Sequence, residues 1–132
     1  MRIDEEQPLK LSEVRDILDA EIIVGEDSLD LEVQTAFGAD LMSDVLAFAK
    51  AGRLLLTGLT NTQVIRTANV LDIAAIILVR GKKPSSETIT LASELKIPIL
   101  ATKYILFETA GRLYMKGIVG CLPKVETTSG RN

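Results

Sequence analysis

The sequence contains no histidine and no tryptophan, and its single cysteine is Cys121. Without histidine there is no imidazole acid or base, no Ser/His or Cys/His nucleophile pair and no His-containing metal site. One cysteine permits neither an intrachain disulfide nor a structural zinc site built from several thiolates. Cys121 has no base beside it in the sequence and reads as an inert thiol. No apolar run approaches the roughly 18 residues needed to span a bilayer, and Met1 to Glu6 lack the apolar segment of a signal peptide, so a cytoplasmic protein is expected. An excess of positive charge is also missing. The net charge of −3 and a pI near 5.0 argue against a general nucleic-acid or anionic-membrane binder, and neither partner is expected.

What is present is an apolar pattern with a regular beat. Short runs rich in Leu, Ile and Val occur at Leu54–Leu56, Ala75–Val79 and Ile97–Ala101, each followed by a polar turn and a helical pattern. Their starts at Leu54, Ile76 and Ile99 lie 22 and 23 residues apart, the spacing of successive strand–helix units in a parallel sheet. The chain of 132 residues is 47% hydrophobic, enough for one domain that buries about two-thirds of its unfolded surface. The expected fold is α/β, a three-layer α/β/α arrangement around a mainly parallel sheet of about five strands. Residues 1–8 read as a loose N-terminal end, 9–120 as one domain, and 121–132 as a Thr, Ser and Gly-rich tail expected to be disordered.

The remaining elements follow from periodicity and caps. Ser12 is placed to cap a short helix carrying Val14, Ile17 and Leu18, Glu21–Val24 reads as a strand, and Leu31 to Phe37 alternates like a strand with one less buried face. Gly38 and Asp40 open a helix through Met42, Val45, Leu46 and Phe48 that Gly52 ends. Thr60 with Gln63 has capping-box spacing, Pro84-Ser85-Ser86 punctuates the start of the next helix, and Thr102-Lys103 opens a last helix from Tyr104 to Lys116.

Ligands of open parallel sheets sit at the carboxyl ends of the strands. That rim carries Gly38 and Asp40, then Thr57, Gly58, Thr60 and Asn61, then Arg80, Lys82 and Lys83, then Thr102 and Lys103. Glycines, hydroxyls and cations beside helix N-termini are the chemistry of an anion or phosphate site. The ligand candidates are Gly38, Asp40, Thr57, Gly58, Thr60, Asn61, Lys82, Thr102 and Lys103; no catalytic residue, metal or cofactor is assigned. Neither GxGxxG nor a Walker A motif occurs, and caps and glycines also close loops of this kind for purely structural reasons. Glu26-Asp27 and Lys103 invite comparison with the response-regulator receiver, but Leu54–Leu56 ends in Thr57-Gly58 without an acceptor aspartate. Gly111 interrupts an otherwise good helix at about 1 kcal/mol relative to alanine, which suits close approach of a neighbour. With Met42, Phe48, Tyr104 and Phe107 it makes the candidate subunit interface.

Phe37 to Gly117 resembles the DRTGG domain, a small regulatory module found in some phosphotransacetylases and CBS-containing pyrophosphatases and also alone. The stretches that carry the resemblance are Gly38 to Asp44, Leu54 to Gly58 with Ala68 to Leu71, and Ile97 to Leu100 with Thr102, Tyr104, Phe107, Glu108 and Thr109; Leu11 to Gly25 extends it. The Asp-Arg-Thr-Gly-Gly pentapeptide itself is missing. The resemblance implies an architecture similar to the N-terminal domain of HPr kinase and a homodimerising regulatory or assembly module without its own catalysis. Such a module would sense a phosphorylated metabolite or adenine nucleotide, or work beside a catalytic partner protein. One alternative is a phosphotransfer or acyl-phosphate enzyme, with Asp40 as base and Lys82, Lys83 or Lys103 holding phosphate. The other is a pure protein-interaction subunit of a larger complex, for example a hydrogenase-associated one.

Overall fold

The three apolar runs spaced along the middle of the chain lie side by side as β5 (Leu54–Thr57), β6 (Ala75–Leu78) and β7 (Ile99–Ala101). They are the centre of the fold in a computed structural model that describes residues 8–41, 44–45 and 52–120. The other described strands and α-helices are β1 (Leu9–Lys10), α1 (Leu11–Leu18), β2 (Glu21–Val24), β3 (Glu32–Val33), β4 (Thr35–Gly38), α2 (Thr62–Val70), α3 (Ser86–Leu95), α4 (Leu106–Met115) and β8 (Val119–Gly120), with a 3-10 turn at Glu26–Ser28. The main sheet has the order β2-β7-β6-β5-β4-β8, and β1 pairs with β3 in a separate ribbon. Every neighbour in the main sheet is parallel except β2, which runs antiparallel to β7.

Alternation along the strands builds the three layers. Leu55, Ile76, Leu78 and Ile99 join Val45, with Val64 and Ile65 of α2 and Ala92 of α3, in one buried cluster. Leu54, Leu56, Ala75, Ile77 and Leu100 join Leu11, Val14 and Leu18 of α1, and Leu113 of α4, in the other. Strands covered on both faces are apolar at nearly every position, which is why these runs stand out. The expected sheet of about five strands has a sixth in β8, where the chain crosses back from β7 through α4 to pair beside β4.

Several element boundaries move from their expected places. The N-cap of α1 is Lys10, whose backbone N–H donates to Glu13 Oε1 at 2.8 Å, so Ser12 lies inside the helix. Asn61, not Thr60, caps α2 by accepting from the Val64 N–H at 3.2 Å. The run from Leu31 to Phe37 divides into β3, which pairs with β1, and β4, which enters the main sheet. The last helix begins at Leu106 rather than Tyr104, because the preceding backbone is held by the loop after β6. Arg80 N–H donates to the Tyr104 carbonyl at 2.8 Å and Gly81 N–H to the Thr102 carbonyl at 3.0 Å. The helical positions Met42 and Phe48, and the tail from Cys121 onward, lie outside the described residues.

Candidate functional site

The carboxyl rim of the sheet divides into two parts of different character. At the ends of β4 and β5, Asp40 Oδ1 accepts from the Gly58 N–H at 2.8 Å and from Thr57 Oγ1 at 3.0 Å. Thr57 is fully buried, and its hydroxyl oxygen also accepts from the Leu59 N–H at 3.1 Å. The Arg80 guanidinium lies 3.9 Å from Asp40 Oδ2 and covers the face of Gly58, where a Cβ would collide with it. The Gly58 amide, the Thr57 hydroxyl and the Arg80 charge hold the Asp40 carboxyl below the usual carboxylate range, in that order, against an opposing effect of burial. Asn61 is engaged as the cap of α2, and the Thr60 carbonyl accepts from Thr88 Oγ1 at 2.9 Å. Gly38 faces α4: a Cβ there would stand 3.3 Å from Leu106 Cδ1.

The second part is an open cleft of about 310 Å³ at the ends of β6 and β7, beside the start of β2. Leu18, Ala101 and Thr102 contribute apolar lining, Tyr104 a ring, and Lys82, Lys83, Lys103, Asp19 and Glu21 the charge. The acids arrive because β2 is antiparallel: its first residue, Glu21, pairs with Ala101 at the last position of β7. Thr102 ties α1 to β7, its Oγ1 donating to the Leu18 carbonyl at 2.7 Å and accepting from the Tyr104 N–H at 3.3 Å. The Arg112 guanidinium lies 4.1 Å from the centroid of the Tyr104 ring and bonds Glu108 Oε2 at 3.1 Å, which fixes that wall from α4. Lys83 Nζ bonds Glu21 Oε1 at 2.9 Å, whereas Lys82 and Lys103 have no ion pair among the described residues.

Of the nine expected ligand residues, the cleft therefore gathers Lys82, Thr102 and Lys103, while Asp40, Thr57 and Gly58 bond to one another. Asp19, Glu21 and Arg112 were missed. Asp19 follows α1, Glu21 opens β2 and Arg112 lies on α4; the antiparallel edge strand places Glu21 at the rim, and the stack on Tyr104 places Arg112 behind the wall. The reversal of strand order, between β4 and β8, opens instead onto an apolar groove lined by Leu56, Leu106 and Leu113. Among the interface candidates, Phe107 is 82% exposed and Gly111 has nothing within 4 Å of an added Cβ, so its helix offers open space there. Tyr114 and Met115 continue the same exposed stripe. Among the described residues there is no cluster of acids and Cys suited to a metal ion, and no helix long and apolar enough to cross a membrane.

The family model for the DRTGG domain matches residues 13–115, which run from α1 to the end of α4. The chain belongs to the DRTGG domain family. As a DRTGG domain it is similar to a solved structure described as the CBS and DRTGG domains of the regulatory region of Clostridium perfringens pyrophosphatase complexed with activator, diadenosine tetraphosphate. The TM-score is 0.68 at 20% identity, covering 80% of this chain and 46% of that one, so the likeness is one of fold. The chain thus spans about half the length of that regulatory region. No match was found among curated proteins.

Proposed function

We propose that this DRTGG domain is a non-catalytic regulatory module that works as a homodimer and binds a phosphorylated metabolite, with an adenine nucleotide as the leading candidate. The observation that carries the reading is the cleft at β6 and β7, where Lys82 and Lys103 stand without ion-pair partners among the described residues, beside an apolar lining and an aromatic wall. Its volume of about 310 Å³ falls at the small end of the range for ligand pockets. The activator in the pyrophosphatase regulatory region, diadenosine tetraphosphate, supports the choice of nucleotide. The phosphotransfer alternative needs Asp40 as a base, and a carboxylate held by two hydrogen bonds and a nearby guanidinium, with a depressed pKa, is a poor one.

Isothermal titration with ATP, AMP and acetyl phosphate tests the binding claim. Heat that saturates with one of them, with an affinity about tenfold lower in Lys103→Ala, is expected; no binding of any at millimolar concentration overturns it. The exposed stripe of Phe107, Gly111, Tyr114 and Met115 supports the homodimer. Light scattering should give a dimer at tens of micromolar and a monomer for Phe107→Glu, and a monomeric wild type contradicts the dimer. The same stripe also favours a second reading, a protein-interaction subunit, which predicts no small-molecule binding at all.

A further inference from the structure

The charges of the cleft nearly cancel: three lysines face Asp19 and Glu21. One of the three is already occupied, since Lys83 Nζ lies 2.9 Å from Glu21 Oε1 across a sequence separation of 62 residues. Both side chains are more than 60% exposed, so the pair is held by its own attraction rather than by packing, and such pairs exchange readily with a competing ion. Glu21 is also fixed at the mouth by its backbone, which pairs with Ala101.

Resting on the reading of this cleft as a ligand site, we propose that Glu21 is a built-in charge selector, which admits a multiply charged phosphoryl group and refuses carboxylates and other monoanions. A monoanion entering the cleft competes at Lys83 with an equal charge already in place and is repelled by Asp19 and Glu21. A diphosphate bridges Lys82 and Lys103 with one end and draws Lys83 away from Glu21 with the other, so its second and third charges meet cations that a carboxylate never reaches. The specificity is therefore partly repulsive, set by an acid that the ligand must displace.

Titration of inorganic pyrophosphate and of acetate into wild type, Glu21→Gln and Glu21→Gln/Lys83→Gln tests this. Both positions are exposed, and circular dichroism confirms that the variants are folded. The wild type should bind pyrophosphate and not acetate, and Glu21→Gln should bind pyrophosphate about three- to tenfold more tightly and acquire weak acetate binding. The double variant should lose that gain, because Lys83 is the cation Glu21 withholds. Pyrophosphate binding that is equal or weaker in Glu21→Gln than in wild type overturns the selector and leaves the ligand site standing. Absence of pyrophosphate binding in every protein overturns both.

Discussion

At the ends of β4 and β5 an acid, a hydroxyl, a glycine and an arginine satisfy one another, while at the ends of β6 and β7 two lysines have no such partners among the described residues. Both places carry the residue types expected of an anion site, and both adjoin the start of a helix or its approach. They differ in what is left unspent. The Asp40 carboxylate fills the donors of the β5 turn as an external anion would, which makes that turn a piece of architecture joining β4 to β5. The cleft keeps free cationic donors over an apolar lining, which is the arrangement that rewards a ligand. Residue type marks where on an α/β rim an anion can be held; only the hydrogen-bond partners tell whether the chain holds its own.

The largest expected effect sharpens the border between the two parts. Thr102→Val removes a hydroxyl that is buried and leaves the Leu18 carbonyl and Tyr104 N–H without their partner, at a cost of about 1–3 kcal/mol in urea unfolding. Because Thr102 also lines the cleft, ligand affinity should fall in the same variant. Asp40→Ala should cost about 1–2 kcal/mol, with the side chain half-exposed, and leave ligand affinity unchanged. Its pH dependence has a definite sign. The folded-state pKa of Asp40 is depressed, so its contribution is present above the ordinary aspartate range of about 4 and lost as pH falls through the lower folded value. Unfolding measured down through that acid window should show wild type converging on Asp40→Ala.

Lys82→Ala and Lys103→Ala reverse the pattern: stability within about 0.5 kcal/mol of wild type, and affinity for the bound phosphate compound lower by about tenfold. A lysine variant that unfolds easily, or an Asp40 variant that loses binding, would break the division of the rim. The smallest effect belongs to Gly58→Ala. The new methyl displaces the end of the flexible Arg80 side chain from above Gly58 and loosens a long ion pair, for less than about 1 kcal/mol by thermal unfolding.

The middle of the fold was legible because β5, β6 and β7 are covered on both faces, so their apolar character survives in every position of the run. The edges were less so. Glu21–Val24 looks the same whichever way it runs, and only its antiparallel pairing with β7 puts Glu21 at the rim. β8 has two residues, too few to show a period, and the capping positions read for Thr60 and Ser12 fall on Asn61, whose side chain accepts from the Val64 amide, and on Lys10, whose own amide donates to Glu13. The rim residues Asp40, Thr57 and Gly58 were found as a set, but bonds across 17 and 18 residues of sequence leave no local mark, so their mutual satisfaction was invisible. The Glu21–Lys83 pair is more distant still.

The most direct test of the account is the thermal unfolding of wild type and of Lys82→Ala/Lys103→Ala with and without ATP. A ligand at a hundred times its dissociation constant stabilises a fold by about 2.7 kcal/mol, a shift of several degrees for a domain of this size. The account predicts that shift in the wild type and its loss in the double variant, with equal midpoints for the two proteins when ATP is absent. An equal shift in both proteins, or none in either, contradicts it.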